Sequence, residues 1–313
     1  MLAHFQKALT IGAFLIASGF VWAGWNEGHS ILGFIAAAAV LGAYAVVLAL
    51  EFALLAHVHG DDPTPPATLR QLVRAWWGEV LAAPRVFCWR QPFRSRAWPD
   101  LLLTCNGGRR GVLLVHGFFC NRGVWNRWLQ RLSVLGVPTI AVNLVPTFGS
   151  IEAYAWKIEE AIQALERHTG MPPVAVAHSM GGLAVRSWCS RPGNEGRLKQ
   201  AITIGTPHRG TWLARFALTM NSRQMRQSSA WLDALAIDEQ LGQRGPAIGG
   251  AACAKICFYS HCDNIVFPAS AGTLPCSDNR HLEGVAHMHM VDRPEPWEAL
   301  LKALELPQPQ AKA

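Results

Sequence analysis

Pro173-Val174-Ala175-Val176-Ala177-His178-Ser179-Met180-Gly181-Gly182 is the stretch on which the fold turns. The apolar run Pro173 to Val176 has the length and composition of a buried strand. Ala177, Ser179 and the doubled glycine then open a segment, 180–189, at helical spacing. The pattern predicts a strand that bends sharply into a helix with Ser179 at the bend. Such a bend lifts a hydroxyl clear of the backbone, and it demands small neighbours because strand and helix almost touch there. Ala177 fills the first small position and Gly181 the second.

Outward from this bend the chain alternates. Strand 111–115 leads to helix 125–135, strand 139–144 to helix 151–168, and strand 174–177 to helix 180–189; strands follow at 200–204 and 255–260. Short Val/Ile/Leu/Ala-rich strands separated by helices predict a mostly parallel sheet covered by helices on both faces. Residues 86–105 are expected to supply early strands and connections. Helical, partly apolar sequence at about 208–250 interrupts the alternation and is expected to form a lid over the strand ends. Residues 261–296 read as loop, and 297–304 as a closing helix.

Half of the 313 residues are apolar and only 16% are charged, and the apolar excess lies at the N-terminus. Residues 8–25 and 31–50 carry no charge. A bilayer core needs roughly 20 helical residues, so residues 1–58 are expected to form a two-helix membrane anchor. Lys7 precedes the first run and Arg70, Arg74, Arg85, Arg90, Arg94 and Arg96 follow the second, whereas the connection at 26–30 has no Lys or Arg. Basic residues mark the cytoplasmic side, which places both ends, and the bulk of the chain, there. The net charge of +7 comes from scattered residues without a nucleic-acid motif, and attraction to an anionic leaflet accounts for it. The eight cysteines lack a disulfide framework and are expected as free thiols. Residues 59–84 form a linker followed by an amphipathic helix, capped by Thr68 and Gln71. Leu69, Leu72, Val73, Trp76, Val80 and Leu81 share one face of this helix, with Arg70, Arg74 and Glu79 elsewhere; it either packs on the following domain or lies on a membrane surface.

A serine hydroxyl becomes a nucleophile only when a base takes its proton. In the strand–serine–helix arrangement the partners follow as an acid and then a histidine. Asp263, just past strand 255–260, is the best-placed acid; Asp233, Asp238 and Asp278 are rivals. His287, in Gly284-Val285-Ala286-His287, suits a base on a loop before the last helix, with His281 and His289 as alternatives. The tetrahedral intermediate needs backbone donors for its oxygen: Met180, directly after the serine, supplies one N–H, and Phe118, after His116-Gly117, the other. His116 and His178 read as structural. Phe119, Trp212 and Phe216 are candidates for an apolar acyl pocket.

Val115-His116-Gly117-Phe118, Ala177-His178-Ser179-Met180-Gly181-Gly182, Ile204-Gly205-Thr206-Pro207-His208-Arg209-Gly210-Thr211 and Gly284-Val285-Ala286-His287 together resemble the bacterial triacylglycerol lipases and related lipase-like α/β-hydrolases. The similarity runs from about Gly111 to Leu304. It implies an α/β-hydrolase fold over residues 85–307 (a disordered tail at 308–313), a Ser179–Asp263–His287 triad, Phe118 and Met180 as oxyanion donors, and esters with apolar acyl chains as substrates. Enzymes of this group hold structural calcium with a carboxylate two residues after the histidine. Here His289 stands at that position, and Trp212 and Arg215 stand where acids would be, so no metal or cofactor is expected. The expectation is a serine carboxylester hydrolase (lipase or esterase) anchored in the bacterial inner membrane, with a lipid or other apolar ester as its partner and no nucleic acid; oligomeric state is unreadable. The same triad would serve an acyltransferase or thioesterase, and a non-catalytic membrane interaction protein on the same scaffold is the rival of a different class.

Overall fold

The computed structural model describes residues 1–102, 108–244 and 254–306. Six strands, β1 (Val112–Val115), β2 (Thr139–Ala141), β3 (Val174–His178), β4 (Gln200–Ile204), β5 (Lys255–Tyr259) and β6 (Asp278–His281), form one sheet. Their order is β2-β1-β3-β4-β5-β6 and every pairing is parallel, so β3 and its serine lie near the middle. Alternate residues of each strand feed opposite faces. Val112, Leu114, Val174 and Val176 pack under α5 (Asn126–Val134) and α10 (Pro294–Ala303) with Trp128, Leu132, Trp297 and Leu300. Leu113, Val115, Ala175 and Ala177 pack under α6 (Ala155–Thr169) and α7 (Met180–Cys189) with Ile158, Ile162, Leu183 and Trp188. Each fully buried Leu or Ile side chain contributes roughly 1.5–3 kcal/mol, so covering both faces is what stabilises short parallel strands.

β6 was not legible in advance. Asp278, Asn279, Arg280 and His281 have no strand propensity, yet they pair with β5 from Ile256 to Tyr259. Their charge suits an edge that must not pair further. The expected strands at 86–105 are corrected: among the described residues 85–94 are helical and 95–102 are turns and irregular chain. α3 (Leu69–Pro84) passes into a π-helical turn at Arg85–Arg90 and then α4 (Gln91–Arg94), and the only strand-like feature is a bridge from Leu101 to Thr139. The helix continues because Val86 and Gln91 are buried against the domain, a tertiary reward the local sequence does not display.

At the N-terminus α1 (Leu2–Asn26) and α2 (Ser30–His57) form a hairpin, and each is long and apolar enough to cross a membrane. The two meet at small residues: a Cβ on Gly24 would lie 2.8 Å from the Gly33 Cα, the close approach glycine permits between helices. Thr68 and Gln71 do form the capping box of α3. The packed face of α3 overlaps the expected one only in part. Leu72, Trp76 and Val80 pack inward as expected, together with Ala75 and Glu79, whereas Leu69, Val73 and Leu81, and Trp77 beside them, are exposed. Two hydrogen bonds select that face: Trp76 Nε1 donates to the Ala45 carbonyl at 3.0 Å and the Tyr44 hydroxyl to the Val80 carbonyl at 2.9 Å. α3 thus lies between α2 and the sheet domain.

The segment between β4 and β5 is helical as expected, with a 3-10 turn at Trp212–Phe216, then α8 (Met220–Gln224) and α9 (Ala230–Arg244). The rest of the expected lid, the tail at 308–313, Cys105 and Cys253 lie outside the described residues. Among the described residues Cys88, Cys120, Cys257, Cys262 and Cys276 are free thiols. α9 is pinned to α7 by Arg186, whose guanidinium meets Glu239 at 2.7 and 3.1 Å and also donates to the His208 carbonyl. Burial opposes ionisation of Glu239, and Arg186 more than compensates, holding the carboxyl below its ordinary range. Glu239→Ala would strand a buried guanidinium, and we expect it to lower stability by about 3–5 kcal/mol; chemical denaturation of the solubilised chain reads this, and a loss below 1 kcal/mol would mean α9 is not held by the pair.

Candidate active site

Ser179 sits between β3 and α7 with φ 55° and ψ −131°. A non-glycine residue in that region stores on the order of 1–3 kcal/mol and persists only where its surroundings dictate it. They do so here. The Ser179 N–H donates to the Ile204 carbonyl at 2.9 Å, and the Thr206 hydroxyl donates to the Ser179 carbonyl at 2.9 Å. A Cβ at Gly181 would lie 2.6 Å from the carbonyls of Val115 and His116, one at Gly182 would overlap Thr206 Oγ1, and one at Gly117 would lie 2.6 Å from Ser179 Cβ. The glycines are therefore there for room, as the sequence implied. Ser179 is 7% exposed, largely buried but not sealed.

Asp263 and His287, distant in sequence, meet across this bend. His287 Nδ1 lies 2.9 and 3.0 Å from the two carboxylate oxygens of Asp263, with the residues 4% and 1% exposed. Asp263 Oδ1 also accepts from the N–H groups of Ile265 and Val266 at 2.9 and 2.8 Å, which fixes the acid. Burial alone would depress the His287 imidazole; the charge and hydrogen bond of Asp263 outweigh it and raise the pKa. Gly205 (φ +56°) lies against the pair: a Cβ there would come within 3.1 Å of both Asp263 Oδ2 and His287 Nδ1. The ring of His178, the residue before the serine, stands 4.6 Å from that of His287. Among the described residues no hydrogen bond joins the Ser179 hydroxyl to the imidazole, and such contacts are commonly long until substrate closes them.

The other candidate acids and histidines lie elsewhere. Asp278 is exposed on β6 and pairs with Arg280 at 2.6 Å; Asp233 and Asp238 face solvent on α9. His281 accepts from the His261 N–H. His289 lies against α3, where a Cβ on Gly78 would stand 2.5 Å from its Nδ1. His116 is neutral, its pKa pushed down to about 4 by burial; its Nδ1 donates to the Gly117 carbonyl and its Nε2 accepts from the Leu144 N–H. His178 is likewise held neutral by burial, and its Nε2 donates to the His287 carbonyl at 3.3 Å.

Met180 opens α7, where the first N–H groups have no partner within the helix, and Phe118 begins the turn after β1. Both therefore flank Ser179. The Phe118, Phe119 and Phe148 rings cluster with centroids 5.8–6.4 Å apart, and Phe5 of α1 meets Phe119 edge-on at 6.2 Å. Trp212 and Phe216 do not join this cluster: Trp212 stacks on Phe267 and meets Phe216 edge-on. Among the described residues no group of His, Cys, Asp and Glu is gathered as a metal site. Three polar residues around the histidine loop went unrecognised in the sequence: Asn264, Glu51 and Glu79. Glu51 carried one signal, being the lone carboxylate directly after an uncharged run; the helical pattern of 69–81 put Glu79 on the wrong face.

A model of the alpha/beta hydrolase family matches residues 112–300. Among solved structures, a mature lipase of Bacillus licheniformis superimposes with a TM-score of 0.54 at 14% identity, covering 63% of this chain and 92% of that one. Lipase B of Aspergillus fumigatus does so with a TM-score of 0.52 at 19% identity, covering 66% and 56%. At such identities the likeness concerns the fold. No curated protein matches the sequence. Gly205→Ala should wedge Asp263 from His287, costing roughly 1–3 kcal/mol by overpacking and removing the low-field Nδ1–H proton resonance of their hydrogen bond; an unchanged resonance would show the loop accommodates the methyl.

Proposed function

The chain belongs to the alpha/beta hydrolase family, and from this premise we propose that it is a membrane-anchored serine carboxylester hydrolase, a lipase or esterase, with Ser179 as nucleophile, His287 as base and Asp263 as its orienting acid. The observation that carries this is the buried Asp263–His287 hydrogen bond directly across Gly205 from a strained Ser179. Ser179 Oγ attacks the ester carbonyl carbon as His287 Nε2 takes its proton. The carbonyl oxygen becomes an oxyanion, which the N–H groups of Phe118 and Met180 stabilise by about 3–4 kcal/mol each. Collapse breaks the bond to the leaving alcohol, which receives the proton from His287 and leaves an acyl-serine. Water then adds by the same route: His287 takes its proton and returns it to Ser179 Oγ, freeing the carboxylic acid. Asp263 keeps the proton of the neutral ring on Nδ1 and stabilises the imidazolium.

The aromatic cluster of Phe5, Phe118, Phe119 and Phe148 supports an apolar acyl chain as the part of the substrate nearest the serine, with Trp212 and Phe216 further out. The hairpin supports a bilayer-resident ester, and so does α3, whose exposed stripe of Leu69, Val73, Trp77 and Leu81 runs beside Arg70 and Arg74. An apolar face edged by arginines is the composition of a helix lying in a headgroup layer. Both ends of the hairpin face the cytoplasm in this reading, with the catalytic domain.

Ser179→Ala should lower hydrolysis of a p-nitrophenyl ester series roughly a million-fold and abolish labelling by a fluorophosphonate; a labelled or active variant would exclude Ser179 as nucleophile. The base works only when neutral, so activity should fall as pH drops through the raised pKa of His287. The midpoint of kcat/KM should then lie above the ordinary imidazole value of about 6.5, and Asp263→Asn should move it down while reducing kcat about 10⁴-fold. A wild-type midpoint below 6.5 would contradict the assignment. A reporter inserted at residues 26–30 should read as extracytoplasmic, and a cytoplasmic signal there would reverse the topology.

A further inference from the structure

The loop that carries His287 is held from outside the sheet domain. Glu79 of α3 is 2% exposed. Its carboxylate accepts from the Met288 N–H at 3.0 and 3.1 Å and from the His289 N–H at 3.1 Å, the two peptide groups that follow the histidine. Glu51, near the end of α2, accepts from Asn264 Nδ2 at 2.6 Å, and Asn264 Oδ1 accepts from the His287 N–H at 3.2 Å. Three consecutive amides, 287 to 289, thus lead to carboxylates supplied by the N-terminal helices. Gly78 brings α3 close enough for this, since a side chain there would collide with His289.

Neither carboxylate belongs where it is for packing alone. Among the described residues no Lys or Arg forms an ion pair with either, and burial pushes the Glu79 carboxyl up to about 7. A hydrophobic residue of similar size would dock α3 with less desolvation penalty. What an apolar side chain could not do is accept from the amides beside the base. A serine–histidine reaction needs the imidazole placed to within a fraction of an ångström, and displacement by about 1 Å can lower the rate about 100-fold.

We propose that Glu51 and Glu79 are positioning residues for His287, so that the hairpin and α3 complete the active site as well as tethering it. This rests on the hydrolase reading above. Glu51 acts through Asn264 on the amide of the base itself, and Glu79 acts on the two amides that set the direction of the loop.

The test uses the full chain in detergent with the soluble substrate p-nitrophenyl butyrate, which removes any contribution of membrane delivery. Glu51→Leu and Glu79→Leu should each lower kcat about 100-fold with KM within about twofold. Circular dichroism and thermal unfolding should keep a folded profile, and fluorophosphonate labelling of Ser179 should slow in parallel. Glu51→Gln keeps an oxygen that can accept from Asn264 and should restore most of the activity. Folded leucine variants with wild-type kcat would overturn the proposal, as would a Glu51→Gln no better than Glu51→Leu. If Glu79→Leu does not fold, Gly78→Ala reads the same contact by pushing on His289: a fall in kcat at constant KM supports the proposal, and wild-type kcat overturns it. A wild-type chain that neither hydrolyses the ester nor labels at Ser179 sinks the hydrolase reading and this one together; an active wild type with unaffected variants sinks only the role of the helices.

Discussion

The bend at Ser179 is the constraint from which the rest of the structure follows. Its positive φ is a conformation that a free chain abandons, and it survives because β3 cannot move. That strand is hydrogen-bonded to β1 on one side and β4 on the other, and its two faces are sealed by α6 and α7 above and α5 and α10 below. The turn is then closed by neighbours that leave space only for hydrogen at Gly117, Gly181 and Gly182. Strain of on the order of 1–3 kcal/mol is small against the burial of the sheet, and here it falls on the residue between β3 and α7.

Around that hydroxyl the ionisable groups are sorted by what faces them. Four histidines lie within the buried domain close to the bend or to β4, and burial pushes three of them, His116, His178 and His208, toward neutrality. His287 alone is pushed the other way, because burial is outweighed by Asp263. The difference is not in the histidines but in whether a carboxylate stands within hydrogen-bond distance of the ring. That contrast sets one imidazole apart from the others in a low-dielectric region.

The N-terminal helices change how the domain is read. α1 touches the turn after β1 through Phe5 and through Gln6, whose amide reaches the Phe119 carbonyl at 3.4 Å. α2 reaches the acid loop through Glu51 and Asn264, and α3 reaches the histidine loop through Glu79. Each helix thus places a polar side chain beside a different loop of the site. A tether connected only by the linker at 59–68 would need none of these contacts.

The mostly parallel sheet, the bend at Ser179, the need for a small residue beside it and the candidacy of Asp263 and His287 were legible in the residues, because each depends on local chemistry: apolar runs of strand length, small residues at a tight turn, an acid after one strand and a histidine before the last helix. Where the reading failed, distant partners decided. β6 is a strand because β5 offers it an edge, not because Asp278-Asn279-Arg280-His281 favours one. Residues 85–94 are helical because Val86 and Gln91 find burial against the domain. Glu79 lies on the packed face of α3 because two amides from the far end of the chain need an acceptor. The amino-acid sequence by itself determined which groups could be candidates for the site. Which imidazole has a carboxylate beside it, and which helices touch the loop that carries it, were decided only by tertiary structure, since hydrogen bonds across 200 residues of chain leave no periodicity to read.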